Sequence, residues 1–305
     1  MTRDHASRGR FPRAGVLTDG VPDDDVPSPV AHGPRLNALP PLREVIARHG
    51  LDARRSLGQH FLLDGNLTAR IARAAGDLSG RQVIEIGPGP GGLTRALLAT
   101  EAASVTAIEV DPRAVAAMHE LAEHSDGRLR VVAADAIKTD LVALVPPPRV
   151  IVANLPYSIA TPLLVGWLRS ANEFERLVLM FQLEVAERIC ASPGTSAYGR
   201  LSVLAQWTCS ATLALRIPPA AFVPPPNVFS AIVVLAPHPV QPEPALFARM
   251  ERLTAAAFGQ RRKMLRGALR NVGGEALLRD AGIASDRRAE TLSIGEFDRL
   301  VRVFA

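Results

Sequence analysis

Short apolar runs and longer stretches of helical spacing take turns along the middle of the chain. Gln82–Ile86, Ser104–Ile108, Leu129–Ala133, Val150–Ala153 and Leu177–Phe181 are compact runs rich in Val, Ile and Leu that end on polar or glycine positions. Between them, Gly92–Ala99 and Pro112–His124 carry the apolar spacing of one helix face. Strands alternating with helices predict an α/β fold, a Rossmann-like parallel sheet covered by helices on both faces. A later pair of apolar segments, Ala211–Ile217 and Phe229–Leu235, flanks the corner Pro224-Pro225-Pro226 and predicts a hairpin at the sheet edge. Pro237, Pro239, Pro242 and Pro244 then mark a linker. Beyond it, Ala245–Phe258, Gln260–Asn271 and Gly295–Val303 predict the helices of a small all-α C-terminal domain.

Residues 1–40 break this rhythm. Prolines 12, 22, 27, 29, 34 and 40 and the cluster Asp23-Asp24-Asp25 accompany no hydrophobic period, so this stretch reads as a disordered extension. The predicted organisation is that extension, an α/β domain over 41–238 and a helical domain over 239–305. A length of 305 residues is ample to bury a core in each folded part.

Charge changes the picture by its placement. The net charge is +5, yet residues 41–240 hold 18 basic and 17 acidic side chains while residues 241–305 hold 12 and 8. The excess therefore lies in the C-terminal part, which suggests a polyanionic partner there. Arg262, Arg266 and Arg270 recur every four positions, predicting a stripe on one helix face with Arg261 and Lys263 beside it, suited to an RNA backbone. Arg54 and Arg55 would add a second basic contact. No apolar run approaches the ~20 residues of a membrane span. Cys190 and Cys209 have no metal-ligand spacing, in keeping with a reducing, cytoplasmic setting.

The strongest local signal is Val83-Ile84-Glu85-Ile86-Gly87-Pro88-Gly89-Pro90-Gly91-Gly92, a strand entering a glycine turn and then a helix. Alone, it fits a tight turn, a phosphate-binding dinucleotide loop or the nucleoside-amino-acid loop of an S-adenosylmethionine enzyme. Two strand-end acids narrow the choice. Glu109 ends the next strand, where an acid gripping ribose hydroxyls belongs, and Asp135 ends the third, where it could accept from an adenine amino group. A fourth strand end carries Asn154-Leu155-Pro156-Tyr157. The Asn154 side-chain oxygen and the Leu155 carbonyl, with Pro156 holding the backbone, could both accept hydrogens of one exocyclic amine. Tyr157 could stack on an extruded base.

These segments resemble a known family. Ser56–Asp64 (SLGQHFLLD), the glycine loop, Glu109, Asp135, Asn154–Tyr157, Ala197–Val203 (AYGRLSV), Phe222–Pro226 (FVPPP) and Phe258–Lys263 (FGQRRK) look like the KsgA/RsmA family, the small-subunit (16S) ribosomal RNA adenine dimethyltransferases. The resemblance runs in order over about 41–305. It implies methyl transfer from S-adenosylmethionine to N6 of two adjacent adenosines in the hairpin loop near the 3′ end of 16S rRNA, during small-subunit assembly. It also implies a monomer that contacts the methyl donor through His60, Leu62, Gly87, Gly89, Glu109, Asp135 and Asn154, without a metal. Asn154, Leu155, Pro156 and Tyr157 would hold the target base from one side, with Phe222 closing from the other. His60 stands where many members have Asn, and Asn227 where Lys is frequent. Two other readings are a large-subunit rRNA methyltransferase of the antibiotic-resistance type, disfavoured by Ala197–Val203 and the Arg261-Arg262-Lys263 segment, and a mainly non-catalytic ribosome assembly factor.

Overall fold

The computed structural model describes residues 39–51 and 60–304, all within one compact unit. Most of the 1–40 extension, Arg54, Arg55 and the start of the Ser56–Asp64 motif lie outside the described residues. Among the described residues nine strands are formed: β1 (Phe61–Leu62), β2 (Gln82–Ile86), β3 (Ser104–Glu109), β4 (Leu129–Ala133), β5 (Arg149–Asn154), β6 (Arg176–Gln182), β7 (Cys209–Ile217), β8 (Phe222–Val223) and β9 (Ser230–Pro237). The five apolar runs of the middle region are thus strands β2 to β6, and the helices Gly92–Leu98 and Pro112–Ala122 fall between them as the spacing requires.

Seven strands make one sheet in the order β4-β3-β2-β5-β6-β9-β7. The pairs from β4 through β6 are parallel, while β9 runs antiparallel to β6 and β7 antiparallel to β9. Helices cover both faces of the sheet centre, so β2, β3, β5 and β6 bury both sets of side chains, whereas the edge strands β4 and β7 leave side chains exposed. Along β5, Val150 and Val152 join the core with Leu97, Met118 and Phe222, whereas Ile151 and Ala153 join the opposite core with Trp167 and Tyr198. The chain winds from β2 outward to β4, then crosses back so that β5 lies on the other side of β2. That reversal opens a crevice beyond the carboxyl ends of β2 and β5, where open α/β sheets bind ligands.

The second core continues into the C-terminal helices. Phe247, Met250 and Leu253 of the helix Pro244–Gly259 and Phe297 and Leu300 of the helix Ile294–Val303 belong to the same buried cluster as Ile151 and Leu179. Trp207 stacks on Phe247 with ring centroids 6.2 Å apart, and its indole N–H donates to Asp298 at 3.0 Å.

The expected hairpin at the sheet edge forms, β7 and β9 pairing antiparallel with β7 outermost, and within its long connection β8 leaves to pair with β1. One expectation is corrected. The helix expected over Gln260–Asn271 does not form. Gln260 leaves helical geometry at φ −134° and ψ 65°, and only Leu265–Ala268 and a 3-10 turn at Arg270–Val272 follow. The backbone N–H groups of Leu265 and Arg266 donate to the carbonyls of Arg287 and Ser285 rather than to the preceding turn. Leu265 and Leu269 are drawn into the core by this detour. Arg262, Arg266 and Arg270 therefore do not share one helix face. They are exposed all the same, and among the described residues their side chains have no hydrogen-bond or ion-pair partner. Arg261 is committed to the carbonyls of Ser196 and Tyr198 at 2.7 and 3.2 Å.

Candidate active site

The crevice is built strand end by strand end. After β2 the chain turns through Gly87 and Gly89 at φ +67° and +54°, a left-handed conformation that glycine adopts without strain. The turn also passes tightly beneath β1. A Cβ on Gly89 would sit 3.0 Å from the Phe61 ring, and one on Gly92 would sit 2.4 Å from the Leu62 carbonyl oxygen. Bare backbone is thus what lets β1 lie against the loop and the start of the helix Gly92–Leu98.

Glu109 ends β3 and faces the loop. One carboxylate oxygen accepts from the backbone N–H groups of Val110 and Asp111 at 2.8 and 2.9 Å, and the other from Gly89 N–H at 3.4 Å. Burial pushes its pKa up, partly offset by these backbone donors. Its neighbour Glu85, in β2, is fully buried, and desolvation raises it to about 8. Ordering Glu109 by three backbone donors fixes where it can receive a ligand's hydroxyl groups.

Asn154 ends β5. Its side-chain nitrogen donates to the His60 carbonyl at 3.1 Å, which commits the nitrogen and leaves the amide oxygen as an acceptor. The His60 ring is fixed in turn, since Nδ1 donates to the Pro224 carbonyl at 2.8 Å and leaves Nε2 as the ring's acceptor. Tyr157 begins the helix Tyr157–Leu168, and its hydroxyl shares a 2.6 Å hydrogen bond with the buried Ser230 hydroxyl of β9. Burial raises the Tyr157 phenol above its ordinary pKa. The rings of His60 and Tyr157 lie 5.7 Å apart, tilted by 33°.

His60, Gly87, Gly89, Glu109, Asn154, Leu155, Pro156 and Tyr157 together line a cavity of about 230 Å³. Three predicted residues do not line it. Leu62 is buried in β1 and meets the glycine loop through its backbone. Phe222 is buried opposite Leu62 in β8, edge-on to His60 at 6.3 Å. Asp135 stands outside, accepting from Ile137 N–H at 3.0 Å with Lys138 at 3.9 Å. Sequence reasoning missed Phe61, Val110, Ser158 and Ile159, which also face the cavity. Val110 carried a signal: an aliphatic residue directly after a strand-end acid, and it is 72% exposed at the rim. Among the described residues, no cluster of His, Cys, Asp and Glu could hold a metal ion, and no helix is long and apolar enough to cross a membrane.

A sheet parallel from β4 to β6 and closed by the antiparallel β9 and β7, with a glycine turn at its first strand end, an ordered acid at the second and Asn154-Leu155-Pro156-Tyr157 at the fourth, is that of a Rossmann-like methyltransferase. The chain belongs to the ribosomal RNA adenine dimethylase family, whose model matches residues 50–305. It is 63% identical over 266 residues to a ribosomal RNA small subunit methyltransferase A of Gluconobacter oxydans (strain 621H), covering 87% of this chain and 88% of that one. Among solved structures, a dimethyladenosine transferase from Plasmodium falciparum superposes with a TM-score of 0.68 at 29% identity, over 79% of this chain and 96% of that one. The 23S rRNA methyltransferase ErmE follows at a TM-score of 0.61 and 29% identity, over 80% and 99%.

Proposed function

We propose that this protein transfers methyl groups from S-adenosylmethionine to N6 of two adjacent adenosines in the hairpin loop near the 3′ end of 16S rRNA, during assembly of the small ribosomal subunit. The observation that carries the reading is the Asn154 amide, tethered through its nitrogen to His60 so that its oxygen is the free acceptor beside Tyr157. S-adenosylmethionine, when bound, supplies a methyl group on a positively charged sulfur. The donor set fits it: bare backbone at Gly87 and Gly89, an ordered carboxylate at Glu109 for ribose hydroxyls, and the exposed Val110 for a flat apolar face. His60 and Asn154 border the same space. Leu62 supports the loop from behind, and Asp135, outside the cavity, would have to turn inward to meet an adenine amino group.

An adenine N6 lone pair is delocalised into the ring and is a weak nucleophile. Acceptance of the N6 hydrogens by Asn154 Oδ1 and the Leu155 carbonyl favours a pyramidal nitrogen, with its lone pair aimed at the methyl group. Pro156 fixes the backbone that presents both oxygens, and Tyr157, anchored by Ser230, offers a ring face to the extruded base. Phe222 backs the His60 ring, so it limits the base from the far side through that ring. The proton displaced from N6 leaves to water; the reading assigns no general base and no metal. In it the protein acts as a cytoplasmic monomer, with chemistry in residues 41–238 and RNA grip in 239–305.

Labelled S-adenosylmethionine offered with undermethylated small subunits, large subunits and DNA decides the substrate. The expected product is N6,N6-dimethyladenosine in the small subunit alone, and label confined to large subunits would overturn the assignment. Glu109→Ala is expected to weaken S-adenosylmethionine binding by about tenfold or more in a calorimetric titration, since hydrogen bonds to a charged group are lost. An unchanged titration would remove Glu109 from the ribose site. For the RNA grip, reversing the exposed Arg262 and Arg266 to Glu is expected to lower the slope of log affinity against log salt by roughly 1–2. An identical slope would place the RNA on another surface.

A further inference from the structure

A second cavity adjoins the first. It measures about 580 Å³, shares His60 and Tyr157 with the first as a common wall, and is otherwise lined by Gln182, Asn227, Val228 and the prolines before them. Gln182 is the last residue of β6, and so continues the series of strand-end groups formed by Gly87, Glu109 and Asn154. Its Cα faces that of Ser230, whose hydroxyl anchors Tyr157. It also precedes the helix Leu183–Ile189 without capping it. The Leu183 N–H goes instead to the Phe229 carbonyl, and the half-buried Gln182 amide has no hydrogen-bond partner among the described residues. Val228, 44% exposed, leaves apolar surface on the cavity lining.

We infer that this second cavity is a binding site for an unmodified adenine, the neighbour of the base being methylated, read by the Gln182 amide. On its N7 edge adenine is matched by a primary amide in two bonds, the amide oxygen accepting from N6–H and the amide nitrogen donating to N7. Guanine presents two acceptors on that edge, O6 and N7, so the amide oxygen is left without a donor. An N6,N6-dimethyladenine has lost the N6 hydrogens and keeps only the bond to N7, so the second adenosine is expected to be completed more slowly than the first. The common wall is made by the His60 and Tyr157 rings, so a base in the second cavity lies directly across these side chains from one in the first, as consecutive nucleotides of a single strand require. This inference rests on the proposed substrate, two adjacent adenosines.

The test holds one adenosine fixed and changes the other. Undermethylated small subunits are prepared with the neighbour as adenosine or as guanosine, and kcat/KM for methylation of the fixed adenosine is read by mass spectrometry of the digested RNA. With the unaltered protein, the guanosine neighbour is expected to lower kcat/KM by about tenfold or more. Gln182→Leu is expected to bring that ratio to within about twofold of unity, because only the base-reading bonds are gone. Its calorimetric affinity for S-adenosylmethionine should be unchanged, since Gln182 does not line the first cavity. No discrimination by the unaltered protein overturns the inference without any variant, and equal discrimination by Gln182→Leu overturns it as well. If the modified nucleoside is not adenosine of the small subunit, the substrate assignment itself fails and takes this site with it.

Discussion

Replacing Asn154 by alanine is expected to lower the rate of methyl transfer at saturating S-adenosylmethionine by about 10²–10³-fold, the typical cost of removing one preorganised electrostatic group from a reacting centre. The substitution deletes the acceptor oxygen and also frees the His60 carbonyl from its 3.1 Å bond. Binding of the small-subunit RNA should persist, because the exposed arginines of the C-terminal part are untouched. Asn154→Asp separates the two effects: it keeps an acceptor oxygen but has no N–H for His60, and it adds a charge beside Glu109. Its rate should fall between the other two. A radiolabelled methyl assay is the measurement, and near-normal turnover in Asn154→Ala would remove the amide oxygen from the mechanism.

Glu85→Gln is expected to change how stability depends on pH. Burial holds the Glu85 carboxyl at about 8, against an ordinary value of 4.5, so the folded chain keeps a proton that the unfolded chain releases between those values. A raised acid contributes stability that is complete below the unfolded pKa and is lost as pH rises through the folded one. The native protein should therefore lose stability from pH 5 to pH 8, by an amount on the order of a few kcal/mol. Glutamine has the shape of the protonated acid and no proton to lose, so its curve should be flatter. At pH 8 it should melt roughly 5–10 °C higher than the native chain. Glu109, also raised by burial, leaves some residual slope, whereas Glu296, held down to about 2 chiefly by Arg287, titrates below this window. Scanning calorimetry at the two pH values decides the matter, and parallel curves would mean that Glu85 is ionised in the folded protein.

The strands were legible because burial on both faces leaves a dense aliphatic signature, and β2 emerges with the bounds its apolar run has. The strand-end chemistry was legible because suitable groups recur at successive strand ends along one sheet edge, although a single such acid commonly does no more than order the next turn. The arginine stripe misled because spacing is local information. Leu265 and Leu269 obey the core, and their segment bonds to residues near 285 instead of coiling on itself. The two-residue pairing of β1 with β8 carries no period, so neither the burial of Phe222 nor the anchoring of His60 by Pro224 could be read in advance. Asp135 shows the limit of the strand-end rule. It lies just beyond β4, which closes at Ala133, and its side chain is used to order the following turn.

The unbroken core from the sheet into the C-terminal helices has a mechanical consequence. With Trp207 packed on Phe247 and bonded to Asp298, the sheet that carries Asn154 and the C-terminal helices share one buried core. In the proposed reading that core would act as a caliper, with one jaw at the reacting amine and the other on the RNA backbone. A substrate would then be gauged by the separation of its two parts, and with it the folding state of the RNA, before any methyl group moves.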